Sequence, residues 1–224
     1  MEQNGSVGIE LPEIGRREFV ERIRSCSPEP LDEGQLEKLF LHYSELRRWN
    51  RRVSLGGAAS DDSIVERHYG ESLAALAFLS VSPGELVDLG TGAGVPGFVL
   101  AVARPELQVT LVEARGRKWS FLKSGCRAAS LSCNCLNARV GAAPAEGLPH
   151  QIDWVTSRAV SIEDMGLPVL LPRLAAGGSL LLWCGAADPD LPKVMEISRA
   201  IPIEGTSHRR ILQIRRYEGG PASS

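Results

Sequence analysis

A glycine-rich turn between two apolar runs constrains the fold of this chain more than any other feature. The stretch LVDLGTGAGVPGFVLAVARPELQVTLVEARGRKWSFL spans residues 86–122 and contains Gly90, Gly92, Gly94 and Gly97. A strand, a tight glycine turn and a helix in this order begin a doubly wound α/β domain, in which the bare backbone lets a ligand approach closely. A nucleotide-like ligand at this turn is the first hypothesis.

Short apolar runs follow this turn and alternate with helical segments, which predicts an α/β fold with a Rossmann-like parallel sheet. The runs are ELVDL, LQVTLVE, SCNCLN, IDWVTS and GSLLLWC. Strands covered by helices on both faces need such continuous apolar sequence. The alternating segment HRRILQIRR near the C-terminus predicts a further strand near the sheet edge.

The N-terminal third has helical periodicity instead. In LDEGQLEKLFLHYSELRRWN, Asp32 and Gln35 have the spacing of a capping box, and the apolar residues that follow recur at helical intervals. A second helix is predicted over about 62–79. The expected organisation is a disordered segment (1–15), a helical extension (16–84), one α/β domain (85–218) and a flexible tail (219–224).

Composition fits a single globular unit in a reducing compartment. The chain has 224 residues, of which 43% are hydrophobic, and can bury one substantial core. Its five cysteines are an odd number, and the first 25 residues hold no apolar leader, so we predict a cytoplasmic protein without disulfides or a membrane span. The CNC motif lacks the ligand spacing of a zinc site, so no metal is predicted. A net charge of -2 means that a nucleic acid would have to bind a local basic patch.

Two acidic residues flank the glycine turn and separate the possible cofactors. Glu113 follows the second strand, where a carboxylate can accept hydrogen bonds from ribose hydroxyls. Asp88 precedes the first glycine, where its charge would repel a pyrophosphate but attract the sulfonium and ammonium groups of S-adenosylmethionine (SAM). A SAM-dependent methyltransferase is therefore favoured over a nicotinamide oxidoreductase, although Gly92, Gly94 and Gly97 also fit the dinucleotide spacing.

Several motifs in a fixed order resemble one known family. They are WNRRVSL, VERHYGESLA, the glycine segment and VTSRAV, and the similarity runs from about residue 31 to 216. The chain resembles the bacterial small-subunit (16S) ribosomal RNA methyltransferase G, or glucose-inhibited division protein B, family. This resemblance implies a class I SAM-dependent methyltransferase sheet with an N-terminal helical extension. It also implies SAM as cofactor and methylation of guanine N7 in 16S ribosomal RNA.

The resemblance also implies particular site residues. Gly90 and Val95 would contact the cofactor, Val140 and Gly141 would lie beside its adenine, and Arg158 would complete the site as the catalytic residue. The position of Arg158 agrees, because ligands of doubly wound sheets lie beyond the carboxyl ends of the strands. The predicted cofactor-binding set is Asp88, Gly90, Gly92, Gly94, Val95, Glu113, Val140, Gly141 and Arg158.

Basic residues after the second strand predict the surface that contacts RNA. Arg117 and Lys118 follow Glu113 at the expected mouth of the site, where RNA phosphates would pass. The predicted partner is 16S ribosomal RNA or the small ribosomal subunit, and we expect a monomer. Guanine N7 already carries an in-plane lone pair, so no catalytic Ser, Cys or His is predicted, and His68 is expected to be a structural residue bonded between helices.

Three departures from the family pattern leave a second hypothesis open. Cys184 stands where a lysine is usual, Glu71 stands where an aspartate is usual, and Gly141 and Ala142 replace an acidic pair. A neutral thiol at position 184 removes a strong hydrogen-bond donor. The chain is either an active rRNA methyltransferase or a SAM-binding protein of this fold that docks on the ribosome with little or no methyl transfer.

Overall fold

The computed structural model describes residues 10–51, 55, 63–139, 146–158 and 160–217. Its centre is a sheet of seven strands, namely β1 (Gly84–Leu89), β2 (Leu107–Val112), β3 (Cys133–Leu136), β4 (Ile152–Ser157), β5 (Leu174–Cys184), β6 (Met195–Pro202) and β7 (Arg210–Arg216). Their order across the sheet is β3-β2-β1-β4-β5-β7-β6. β1 to β5 pair in parallel, and β7 is antiparallel to both of its neighbours. The predicted Rossmann-like α/β class is confirmed.

Strand β6 had no counterpart among the predicted strands. Its sequence MEISRAIP is mostly exposed and contains Arg199 and Pro202, because an edge strand pairs on one side only and needs little apolar sequence. The predicted C-terminal strand is β7, and it lies one position inside this edge, between β5 and β6.

The described residues form six α-helical segments, namely α1 (Arg16–Cys26), α2 (Glu33–Asn50), α3 (Glu71–Leu73), α4 (Gly97–Ala103), α5 (Gly116–Ala128) and α6 (Leu167–Leu170). The capping box that begins α2 is present, since the Asp32 carboxylate accepts from the Gln35 N–H at 2.8 Å and the Gln35 amide oxygen accepts from the Asp32 N–H at 2.9 Å. The predicted second helix is irregular: a π-helical turn (Val65–Gly70) precedes α3, and a 3₁₀ turn (Ala74–Ala77) follows it.

The helical extension shares its core with the sheet. Phe19 of α1 and Tyr43 of α2 belong to the same buried cluster as Phe98 of α4 and Leu111 of β2. The extension is therefore part of one folding unit with the α/β domain, because neither part buries its apolar face alone. A second buried cluster, which includes Val87 and Val155, packs the opposite face of the sheet against residues 162–171.

The packed chain begins before the predicted boundary at residue 16. Leu11 and Ile14 are buried in the extension's core, so the predicted disorder of residues 1–15 is wrong for the described part of that segment. Residues 1–9 and the predicted tail over 219–224 lie outside the described residues. No helix within the described ranges is long and apolar enough to cross a membrane.

Candidate cofactor and substrate site

The glycine turn connects β1 to α4 at the carboxyl end of the sheet. The chain leaves β1 for β2 on one side, while β4 pairs with β1 on the other, so the turn lies at the switch point where doubly wound sheets bind ligands. Gly90, Gly92 and Gly94 have φ angles of 64°, 55° and 84°. These values fall in the left-handed region that favours glycine, which explains the glycine spacing of the sequence.

Asp88 lies beneath this turn and holds it to the sheet. The carboxylate is fully buried and accepts hydrogen bonds from the Gly97 N–H at 2.9 Å and the Thr156 hydroxyl at 2.8 Å. Burial raises the pKa of Asp88 to about 6, although these bonds favour the ionised form. Asp88 does not line the cavity described below, so its observed contacts order the turn and link it to β4.

Glu113 closes the turn from the side of β2. One carboxylate oxygen accepts from the Gly92 N–H at 3.0 Å, and the other accepts from the Arg115 N–H at 2.8 Å. Each oxygen of a carboxylate can accept a second hydrogen bond. Glu113 can therefore hold the turn and still accept from a pair of ribose hydroxyls.

An open cavity of about 300 Å³ lies above the carboxyl ends of β1 and β2. Its lining includes the charged residues Glu113, Arg115, Lys118, Arg139 and Asp164. Burial lowers the pKa of Lys118, while the neighbouring Glu113 raises it. Its apolar wall consists of Leu89, Val112, Ala114, Ala138, Val160 and Met165. Apolar walls with a few convergent polar groups are typical of small-molecule sites, and a carboxylate beside them suits a nucleoside.

Gly90 is the glycine that forms part of the cavity wall. A Cβ atom at this position would lie 2.5 Å from Cγ2 of Val160, which lines the cavity as well. Only glycine fits between the turn and this wall. Gly92 is close by, since a Cβ atom there would lie 3.8 Å from Nζ of Lys118.

Gly94 and Val95, two of the predicted cofactor residues, lie away from this cavity. A Cβ atom at Gly94 would lie 3.1 Å from the His42 imidazole, and Val95 packs against the core cluster, so both face the helices rather than the cavity. Val140 and Gly141 lie outside the described residues. The two residues before them, Ala138 and Arg139, line the cavity.

Arg158 lies in a cluster of charged side chains beyond the end of β4, rather than in the cavity wall. Its Nη1 donates to the Arg67 carbonyl at 3.1 Å, and its Nη2 lies 3.6 Å from Oε2 of Glu71. Nη1 of Arg209 lies 2.6 Å from Oε1 of the same buried carboxylate. Burial lowers the pKa of Arg158 and raises that of Glu71. We call Glu71, Arg158 and Arg209 the Glu71 cluster.

Cys184, at the end of β5, makes no hydrogen bond to the Glu71 cluster among the described residues. Its sulfur lies 3.9 Å from the Arg210 carbonyl of β7, and burial raises the pKa of the thiol. The side chain is therefore a neutral group held against the neighbouring strand. Within the described ranges, no group of three or more His, Cys, Asp or Glu side chains could hold a metal ion.

His42, rather than His68, is the histidine bonded between elements of the fold. The Tyr69 hydroxyl lies 2.8 Å from Nδ1 of His42, and the Ala93 carbonyl lies 2.9 Å from Nε2. His68 is buried, as a structural residue would be, but the predicted bond between helices is not observed, because its Nδ1 has no hydrogen-bond partner in the described part of the chain. The sequence did contain a signal for His42, which lies on the buried stripe of α2 between Leu39 and Leu46.

Folding stability is expected to fall as the pH decreases from 7 to 5. Burial lowers the pKa of His42 to about 4 and that of His68 to about 3, whereas an unfolded histidine has a pKa of about 6.5. Below that value the unfolded chain binds protons that the folded protein excludes, at a cost of about 1.4 kcal/mol per pH unit for each histidine. Asp88 opposes this loss, because its raised pKa of about 6 makes the folded state the better proton binder at pH 5.

From these three groups, the expected loss between pH 7 and 5 is about 2 to 3 kcal/mol, with about 2 kcal/mol from each histidine and about 1.3 kcal/mol returned by Asp88. Urea denaturation at both pH values measures it. His42→Gln, which cannot titrate, should lose about 2 kcal/mol less than the wild type over the same interval. Equal losses in the two proteins would show that His42 takes up its proton without unfolding.

Comparison with known proteins decides the family. Residues 35–207 match the family model described as rRNA small subunit methyltransferase G. The chain belongs to this family. The resemblance inferred from the sequence motifs is therefore confirmed, and the match extends from α2 across the sheet to the turn before β7.

Named relatives agree with this assignment. The chain is 40% identical over 174 residues to a "Ribosomal RNA small subunit methyltransferase G" of Roseiflexus sp. (strain RS-1). This alignment covers 76% of this chain and 71% of the relative. The chain is 38% identical over 164 residues to the protein of the same name from Xanthomonas euvesicatoria pv. vesicatoria (strain 85-10), with 72% and 74% coverage.

Solved structures share the fold at low sequence identity. A SAM dependent methyltransferase from Aquifex aeolicus has a TM-score of 0.52 and 14% sequence identity. The superposition covers 69% of this chain and 93% of the Aquifex chain. A ribosomal protein L11 methylase from Lactobacillus delbrueckii subsp. bulgaricus has a TM-score of 0.52 and 13% identity, with 67% and 79% coverage. At this identity the two structures support the class I methyltransferase sheet alone.

Proposed function

We propose that this protein transfers a methyl group from SAM to N7 of a guanine in 16S ribosomal RNA. The family match over residues 35–207 is the observation that carries the proposal. SAM supplies an electrophilic methyl group, and guanine N7 has a lone pair that needs no deprotonation. The protein therefore has to hold two ligands in line and exclude water, which agrees with a site of backbone turns, carboxylates and guanidinium groups.

The cavity suits the nucleoside part of SAM. We infer that Glu113 accepts from the ribose hydroxyls, that Gly90 and Gly92 let the ligand contact the backbone, and that Ala138 lies beside the adenine. Asp88 acts from beneath by ordering the turn, since its oxygens already bond the Gly97 N–H and the Thr156 hydroxyl. Gly94 and Val95, which face the helices, support the shape of the turn in this proposal.

The Glu71 cluster suits the substrate side of the site. Its two guanidinium groups share one carboxylate, so the cluster has excess positive charge beyond the carboxyl end of β4. Arginine can donate to guanine O6 or to a phosphate through several N–H groups in one plane. We infer that Arg158 donates to the reacting guanine or its phosphate, and that Val140 and Gly141 belong to the adenine side as the family resemblance implies.

Arg117 and Lys118 begin the surface that we propose for RNA. Arg117 is exposed, whereas Lys118 is half-buried beside Glu113 in the cavity wall. This difference gives the two residues different effects on the two ligands. Arg117 should act on RNA alone, and Lys118 should affect both RNA and SAM.

Arg117→Ala is expected to weaken RNA binding by about threefold to tenfold, because it removes one phosphate contact. The slope of log affinity against log salt should fall by about one in magnitude, while SAM affinity stays unchanged. Fluorescence anisotropy with a 16S RNA fragment at several salt concentrations measures both. Arg17→Ala is the matched control, since Arg17 is a similarly exposed arginine on α1. The same loss in both variants would point to a general charge effect.

The proposed activity is tested with purified protein, labelled SAM and small ribosomal subunits that lack the modification. We expect label in 16S RNA, calorimetric binding of SAM and no binding of NAD. The alternative, a SAM-binding protein that docks on the ribosome, has one observation in its favour, namely the neutral Cys184 thiol at the end of β5. SAM binding and subunit binding without label would support that alternative, and NAD binding without SAM binding would overturn both.

A further inference from the structure

His42 links the helical extension to the glycine turn and lies outside the cavity. It belongs to α2, is only 1% exposed, and lies between Tyr69 of the π-helical turn and Ala93 of the glycine turn. Ala93 is flanked by Gly92 and Gly94. A single side chain therefore joins three elements that are far apart in the sequence.

The chemistry of the two partners determines the direction of both hydrogen bonds. A carbonyl oxygen can only accept, so Nε2 of His42 carries the proton and donates to Ala93. Nδ1 is then an acceptor, and the fully buried Tyr69 hydroxyl donates to it. Both ring nitrogens are satisfied by a neutral imidazole, and burial keeps the ring neutral by lowering its pKa to about 4.

Close packing prevents the imidazole from shifting alone. Its ring centroid is 4.2 Å from that of Phe98. A Cβ atom at Gly94 would lie 3.1 Å from Nε2, and one at Gly125 of α5 would lie 3.5 Å from Cδ2. Two glycines thus leave the space that the ring fills, and a displaced ring would have to move the turn or α5.

We propose that His42 is a positioning residue for the cofactor. It holds the Ala93 carbonyl, and the N–H of the preceding residue, Gly92, donates to Glu113 at 3.0 Å within the same turn. The helical extension thereby orders the peptide units that approach the cofactor, and the affinity for SAM depends on a residue that does not touch it. This inference rests on the proposed function for the identity of the cofactor.

Four substitutions separate positioning from general stability. His42→Phe keeps a ring against Phe98 but makes neither hydrogen bond, whereas His42→Gln can still donate to Ala93. Tyr69→Phe removes the outer bond alone. Tyr43→Phe is the matched control, because Tyr43 neighbours His42 on α2 and its hydroxyl donates to the Pro12 carbonyl, away from the glycine turn.

Calorimetry of the folded proteins at neutral pH should show SAM binding about tenfold weaker in His42→Phe. Binding should be largely restored in His42→Gln, intermediate in Tyr69→Phe and unchanged in Tyr43→Phe. The KM for SAM should be highest in His42→Phe, intermediate in Tyr69→Phe, and close to the wild-type value in His42→Gln and Tyr43→Phe. The kcat at saturating SAM should stay near the wild-type value in all four. Wild-type SAM affinity in His42→Phe, with only a lower melting temperature, would overturn the proposal.

Amide hydrogen exchange provides a readout that does not depend on the cofactor. The Gly94 and Val95 amides both bond the Thr91 carbonyl within the turn. We expect them to exchange at least about tenfold faster in His42→Phe than in wild type or Tyr43→Phe, since the turn has lost its anchor. Unchanged exchange would overturn the role of His42 even if SAM binds.

Absence of SAM binding to the wild type would overturn the proposed function. The exchange measurement would then decide by itself whether His42 orders the glycine turn.

Discussion

Replacement of Gly90 by valine is expected to weaken SAM binding by at least about 100-fold, which corresponds to about 2.7 kcal/mol. Gly90 has a φ of 64°, which a β-branched residue adopts only with strain. Its Cβ atom would lie 2.5 Å from Cγ2 of Val160, in a wall of the cavity. The turn would have to move, or the valine would occupy space that the nucleoside needs. Calorimetry with SAM measures the loss.

Gly205→Val is the matched control for this variant. Gly205 has a φ of 73°, so it carries similar backbone strain, but a Cβ atom there would have no neighbour within 4 Å. It lies in the turn between β6 and β7, away from the cavity. We expect Gly205→Val to lose stability and keep its SAM affinity. Wild-type affinity in Gly90→Val, or an equal loss in both variants, would contradict the assignment of the cavity.

Arg158→Ala is expected to reduce kcat/KM for methyl transfer by at least about tenfold, the effect of about 1.4 kcal/mol of lost transition-state stabilisation. Arg158 is the donor that follows β4, and Cys184 at the end of the neighbouring β5 supplies only a neutral thiol. Removal of Arg158 leaves Glu71 with Arg209 as its ion-pair partner in the Glu71 cluster. Some stability should therefore be lost as well.

The matched control for the arginine is Arg210→Ala. Arg210 is bound to Asp188 and to the Gly185 and Ala186 carbonyls rather than to Glu71, so transfer should stay near the wild-type rate. Arg158→Lys keeps the charge but loses the planar donor set, and should recover only part of the activity. A kcat/KM for Arg158→Ala within twofold of wild type, measured on protein shown to be folded, would remove Arg158 from the reaction.

Most of the fold could be predicted from local sequence. The capping box at Asp32 and the apolar runs of β1 to β5 correspond to observed elements, because each depends on a short pattern that the surrounding structure reinforces. β6 could not be found in this way, since an exposed edge strand has little apolar pattern. The shared core of the extension and the sheet could not be found either, because it depends on contacts between distant segments.

Local sequence likewise predicts only part of the candidate site. The positions of Asp88 and Glu113 around the turn followed from their spacing, but the direction of each carboxylate did not. Glu113 faces the cavity, whereas Asp88 points into the protein, where Gly97 and Thr156 offer donors. The connection from His42 to Ala93 spans 51 residues and depends on the packing of α2 against the turn. These two residues meet only when the chain folds, so no local sequence pattern predicts their contact.

The most direct test of the proposed activity is the mapping of N7-methylguanine in 16S ribosomal RNA from cells with and without the gene for this protein. Reverse transcription after reduction and strand cleavage at N7-methylguanine locates the modification at single-nucleotide resolution. We predict one N7-methylguanine that is present in the parent cells, absent from cells without the gene, and restored by the wild-type gene but much reduced with Arg158→Ala. An identical N7-methylguanine pattern in cells with and without the gene would contradict the account.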